Sequence, residues 1–248
     1  GVKIYGDDDS VVNSTVSNNY QYGVIVNGDN DTIVNSTVSN NDWNGVIVNG
    51  DNDTIVNSNV SGNAFGVIVN GDNDTVVNST VSYDSWYGVT VNGDNDTVVN
   101  STVSNNYQYG VTVNGIDNSF VGDRFQGDGL YLAGPYHEVV VNDTVNGRPL
   151  VYLYDASNVT VSDAGEVVAV NSRGLKVIGV NVSDATVGLQ LWDVNDSIIE
   201  NVVVVHEIFG INVNGDNDTV VNSTVSYNHG HGVFVNGNND SVVNSNVS

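Results

Sequence analysis

A segment that returns every 22 residues constrains this chain more than any other feature. The glycine that opens each "GV" segment falls at Gly23, Gly45, Gly66, Gly88 and Gly110, at intervals of 22, 21, 22 and 22 residues, and again at Gly210 and Gly232. Gly1 opens a further copy with "GVKIYG", and Gly129, Gly165 and Gly188 open degenerate ones, "GLYLAG", "GEVVAV" and "GLQLWD". The 248 residues then read as about eleven units, and a unit of that length cannot bury an apolar side alone; it must stack on its neighbours.

Each unit carries strand signals. "GVIV" at Gly23–Val26 and "DTIVNSTVS" at Asp31–Ser39 are rich in β-branched residues, and "NGDN" between them is turn chemistry. No stretch shows a helical apolar period. Equivalent positions assign the faces. Val24, Val46, Val67, Val89 and Val111 never vary, nor do Val26, Val48, Val69, Val91 and Val113. The residue between them is Ile25, Ile47, Ile68, Thr90 or Thr112, and elsewhere Lys3 or Asn212, so it is expected to face water while its valine neighbours face a core. Ile33, Ile55, Val76 and Val98 continue the inner set, followed by Val38, Val60, Val81 and Val103. The Asn35, Asn57, Asn78, Asn100 column is placed inside with them, as a stack of amides bonded along the axis. The fold expected is an all-β, single-stranded parallel β-helix of about eleven rungs. It forms one domain over 1–248, with regular rungs at 1–115 and 210–248 and irregular ones at 116–209.

The stretches "NGRPLVY" (Asn146–Tyr152), "DAGEV" (Asp163–Val167) and "GLQLWDVNDSIIENVVVVHEIFGI" (Gly188–Ile211) follow one another in an order that resembles archaeal proteins like the NosD β-helix, within the pectate-lyase-like superfamily. That resemblance implies a right-handed β-helix. It implies no single activity, because the superfamily holds lyases, epimerases, adhesins and structural proteins alike.

Five Lys and Arg against 29 Asp and Glu give a net charge of −24, which argues against nucleic acid and anionic membrane surfaces as partners. There is no Cys, so no disulfide or thiolate metal site, and no apolar run is long enough to span a membrane. The acidity recurs in turn columns. Asp29, Asp51, Asp72, Asp94 and Asp216 form one file, and Asp31, Asp53, Asp74, Asp96 and Asp218 another. At a rung spacing of about 4.8 Å, neighbouring charges repel by about 1 kcal/mol even in bulk water. Solvation in salt would relieve that, or a hard cation such as Ca²⁺, which suits carboxylates and carbonyls; Asp and Asn also serve such turns with no ion at all. Sequons are frequent, and the glycan acceptors expected are the turn column Asn30, Asn52, Asn73, Asn95 and Asn217, the Asn35 column being excluded as inward.

The variable turn before each "GV" carries Tyr20, Tyr22, Trp43, Phe65, Trp86, Tyr87, Tyr107 and Tyr109. Such an edge can stack sugars, contact a protein, or fold back and seal the corner. Candidate catalytic groups are Asp123, Arg124 and Asp128, or His137, Glu138 and Arg148, but they are scattered through the irregular middle, and no enzyme is expected. Two functions remain. One is a secreted or cell-surface structural solenoid whose copies stack head to tail into a filament, because the last unit ends where the first begins; each subunit would advance roughly 53 Å at about 4.8 Å per rung. The other is a β-helix that binds or cleaves carbohydrate.

Overall fold

The strand residues that recur in sequence pair in the same recurring register. The computed structural model describes residues 1–248, all β-strand and turn with no helix. Val2 lies beside Val24, Val24 beside Val46, Val46 beside Val67 and Val67 beside Val89, always parallel and one repeat apart. The chain is a parallel β-helix, as expected. It divides into two compact units: Gly1–Ala133 with Glu138–Asp143, and Gly134–His137 with Thr144–Ser248.

In the first unit the first six rungs each contribute three short strands, for example Val24–Val26, Thr32–Val34 and Thr37–Ser39. Stacking builds one seven-stranded sheet from Val2–Ile4 to Leu130–Leu132 and another from Ser10–Val12 to Val139–Val141. A third face runs from Thr15–Ser17 to Arg124–Gln126. The valine columns fill the interior: Val24, Val46, Val67, Val89 and Val111 are at most 1% exposed, and Ile33, Ile55, Val76 and Val98 are 2% exposed. Each residue so enclosed contributes roughly 1.5–3 kcal/mol relative to leaving it in water.

The corners correct the sequence reading. Asn30 (φ 61°), Asn35 (φ 49°) and Asn40 (φ 53°) all sit in the left-handed region, where Asn is among the few tolerated side chains. A left-handed residue turns the chain and breaks the two-residue alternation. Asn35 is therefore exposed, and the residue after it, Ser36, is buried at 2%. The same step buries Asp31 after Asn30 and Asn41 after Asn40. The expected inward stack of Asn35, Asn57, Asn78 and Asn100 does not exist. An amide ladder does form, but outside, in the column beside the inward valines. Asn49 Nδ2 donates to Asn27 Oδ1 at 2.8 Å, and Asn70 to Asn49, Asn92 to Asn70 and Asn114 to Asn92 each at 2.7 Å.

The second unit repeats the scheme with Lys176–Ile178, Ile198–Glu200, Thr219–Val221 and Ser241–Val243 in one parallel sheet, and Asn181–Ser183, Val203–Val205, Thr224–Ser226 and Asn246–Val247 in another. Its one antiparallel element is the hairpin joining Thr144–Val145 to Arg148–Tyr154 through Asn146 (φ 51°) and Gly147 (φ 79°), the Asn-Gly chemistry of a tight turn. Asn146 Nδ2 donates to the carbonyls of Ser183 (2.7 Å) and Asp184 (2.9 Å), and Arg148 Nη1 to that of Asn181 (2.7 Å). Asn181–Ser183 is the edge of its sheet, so these side chains cover carbonyls that would otherwise invite another strand.

Candidate functional site

Two kinds of column follow the corners: ladders of polar groups and a row of aromatic rings. The two acidic files expected from the sequence part company. Asp29, Asp51 and Asp72 are exposed, and each Oδ1 accepts an N–H from the rung that follows, Asp51 N donating to Asp29 at 3.0 Å and Asp72 N to Asp51 at 2.9 Å. Asp94 accepts likewise from Ile116, and Asp216 from Asn238 at 2.7 Å. The second file is internal: Asp31 is 1% exposed, Asp53, Asp74 and Asp96 are 3% exposed, and Asp218 is 2% exposed. Its members accept from the rung before. Asp31 N donates to Asp53 at 2.6 Å, Asp53 N to Asp74 at 2.7 Å and Asp74 N to Asp96 at 2.7 Å. The second oxygens of Asp31, Asp53, Asp74, Asp96 and Asp218 are buried without a partner. Burial raises the carboxyls of Asp53 to about 6, Asp74 to about 8 and Asp96 and Asp218 to about 7, with neighbouring Asp charges adding to the shift. No three acidic or imidazole side chains gather where they could hold a metal ion.

The groups weighed for catalysis belong to the same ladders. Asp123 is 0% exposed and accepts from Ser101 N at 2.6 Å, while Asp128 is 2% exposed in a different corner and accepts from Asn106 N at 3.1 Å. Burial raises both carboxyls to about 7. Arg124 is exposed. Glu138 is 2% exposed and accepts from Asn118 N at 2.6 Å. His137 lies edge-on to Tyr154 at 4.5 Å, and Arg148 serves the hairpin. Asn30, Asn52, Asn73, Asn95 and Asn217 are exposed, as is the Asn35 column, so burial gives no reason to exclude the latter from glycan attachment.

The aromatic residues form two rows. An inner row lies on the first sheet: Phe65 meets Tyr87 edge-on at 5.4 Å, Tyr87 meets Tyr109 edge-on at 4.9 Å, and Tyr109 meets Tyr131 at 5.0 Å. Burial pushes the Tyr109 and Tyr131 phenols up. The positions expected to face water are nearly closed to it in three rungs, where Ile25 and Thr112 are only 7% and Thr90 only 9% exposed. Tyr131 pairs with Thr112 in that column, and Tyr20 and Tyr22 share a hollow with Ile25. Tyr131 escaped the sequence reading because it sits in the degenerate "GLYLAG" copy; its signal was its place in the Thr90–Thr112 column. The outer row is open to solvent: Tyr20 is 86%, Trp43 57%, Trp86 49% and Tyr107 73% exposed, with Tyr22 half-buried.

The family model described as "Right handed beta helix region" matches residues 1–121. No curated protein sequence matches the chain. Among solved structures, the catalytic domain of a GH87 α-1,3-glucanase in complex with tetrasaccharides is similar at 9% identity and a TM-score of 0.37, covering 98% of this chain and 64% of that one. Pectate lyase Pel9A is similar at 14% identity and a TM-score of 0.35, covering 100% and 70%. The Dettilon tailspike protein is similar at 12% identity and a TM-score of 0.40, covering 98% and 54%. The class that results is a right-handed parallel β-helix. Likeness of this degree assigns the chain no activity of its own. It does correct one expectation: the similar chains include the catalytic domain of a glucanase and a pectate lyase, so the reading of this chain as no enzyme does not stand.

Proposed function

We propose that this β-helix is an extracellular carbohydrate-binding protein that meets its ligand on the aromatic corner of the first unit. The supporting observation is the solvent exposure of Tyr20, Trp43, Trp86 and Tyr107 along one corner. Gln21, Asp42, Ser85 and Gln108 stand among them in the sequence. Rings alternating with hydrogen-bonding side chains suit a ligand that is apolar on its faces and polar round its edge, as a sugar is. A protein partner would more naturally meet one contiguous apolar patch. The low count of basic residues, five Lys and Arg in all, points toward uncharged rather than anionic glycans.

Of the two functions expected from the sequence, this takes the carbohydrate one. Head-to-tail stacking is argued from where the chain begins and ends, whereas the aromatic corner is a described feature of the fold. Co-sedimentation with insoluble neutral polysaccharides tests the reading. Retention that falls when Trp43 and Trp86 are both replaced by Ala is expected; a protein that stays in the supernatant with every neutral polysaccharide overturns it.

A further inference from the structure

A notch interrupts the aromatic corner at its third rung. The turn there reads "SGNAFG" (Ser61–Gly66), one residue shorter than "SNNDWNG" before it and "SYDSWYG" after it. Backbone bonds fix which residues stack. Trp43 N donates to Gln21 O at 2.9 Å, Ala64 N to Trp43 O at 2.7 Å, Trp86 N to Ala64 O at 2.8 Å and Gln108 N to Trp86 O at 2.9 Å. The column therefore runs Gln21, Trp43, Ala64, Trp86, Gln108. Two indoles stand two rungs apart, about 9.6 Å at the backbone, with Ala64 between them in the column and Phe65 beside it on the same rung.

The turn is one residue short, and its place in the column carries only a methyl group. What results is a groove of about 280 Å³ lined by Asp42, Trp43, Ala64, Phe65 and Trp86. Phe65 supports one jaw, its ring 5.9 Å from that of Trp86 and tilted 33° to it. The groove shares Asp42, Ala64 and Trp86 with a polar hollow lined also by Asn40, Asn63 and Ser85. Apolar walls thus adjoin a rim of amides, a hydroxyl and a carboxylate.

We propose that the notch between Trp43 and Trp86 binds one uncharged pyranose unit of a glycan, held between the two indoles over Ala64. The proposal rests on the carbohydrate-binding reading and gives it a location and a ligand class. A saturated six-membered ring between two aromatic faces needs two carbon contacts of about 3.5–4.0 Å, hence about 7–8 Å from plane to plane. Indoles rooted about 9.6 Å apart reach that separation by leaning slightly together. The ring's C–H faces meet the indoles, and its hydroxyls meet Asp42, Ser85 and the nearby amides. Gln21 and Gln108, one rung beyond each indole, each offer a donor and an acceptor to the adjoining sugar units. Asp42 at the rim, with no Lys or Arg lining the groove, disfavours a uronate.

Calorimetric titration of the full chain with neutral gluco-tetraoses of β-1,3, β-1,4 and α-1,3 linkage, and with tetragalacturonate, tests this. Two variants accompany the parent: Trp43→Ala removes a jaw, and Ala64→Trp fills the notch while adding aromatic surface. Binding of a neutral tetraose is expected, with each variant losing roughly tenfold or more in affinity at an unchanged melting temperature. Should a tetraose bind both variants as it binds the parent, the notch is the wrong place and the carbohydrate reading survives. If no neutral oligosaccharide or polysaccharide binds, both fail together. Tighter binding of tetragalacturonate than of any neutral tetraose overturns the ligand class. Trp43 is exposed, so its replacement keeps the test open even if Ala64→Trp fails to fold.

Discussion

The backbone N–H of Asp53 donates to the carboxyl of Asp74 at 2.7 Å, and the other oxygen of that carboxyl is buried with no partner. Half of each internal acid is thus built into the rung ladder, and half is stripped of water with nothing in return. Such a group favours its neutral form.

Stability should therefore fall as pH rises. The carboxyls of Asp53, Asp74, Asp96 and Asp218 ionise near 3.8 in the unfolded chain but are raised to about 6, 8, 7 and 7 in the fold. A raised acid binds its proton more tightly when folded, so its contribution is intact below 3.8, declines as the unfolded state ionises, and is gone above about 8. Melting temperatures followed by circular dichroism at pH 4, 6 and 8.5 are expected to drop steadily. A protein equally stable at all three, or most stable at pH 8.5, would contradict the burial of this file.

Asp74→Asn should separate that effect from the general repulsion of a chain carrying −24 charges. Asn118 already occupies the same column at 0% exposure, accepting from Asp96 N at 2.8 Å, so the site takes an amide. The variant is expected to melt above the parent at pH 8.5 and close to it at pH 4. A lower melting temperature at pH 8.5 would show that the charge is stabilised there.

Tyr83 holds a left-handed conformation, φ 58°, in a corner column where Asn40 and Asn105 adopt the same geometry. Its side chain is 67% exposed and has little packing to lose. Tyr83→Asn should stabilise the protein by about 1 kcal/mol, since left-handed backbone costs an ordinary residue roughly 1–2 kcal/mol. Chemical denaturation would measure it, and a destabilised variant would mean that the phenol contributes more than the backbone strain costs.

Gly71 stacks so closely on Gly50 that an added Cβ would lie 1.7 Å from the Gly50 carbonyl oxygen. The obstacle is main chain, which cannot rotate aside. Gly71→Ala should destabilise by about 3 kcal/mol, the upper end of ordinary overpacking, and a denaturation midpoint within error of the parent would refute so tight a stack.

What the sequence by itself determined was the β-helix, its period and its straight faces. Val24 and Val26, repeated with their neighbours every rung, could be placed inside because side chains alternate strictly along an extended strand. The aromatic corner was legible too, since Tyr20, Trp43, Trp86 and Tyr107 fall in the turns. Only the tertiary structure decided the corners. Asn35 and Ser36 exchange roles because one left-handed residue resets the alternation, and no rule of spacing carries across it. For the same reason Asp29 and Asp31, two letters apart and alike in sequence, end in water and in the interior. The notch between Trp43 and Trp86 required the rungs to be stacked, because a missing residue becomes a cavity only between two neighbours that keep theirs.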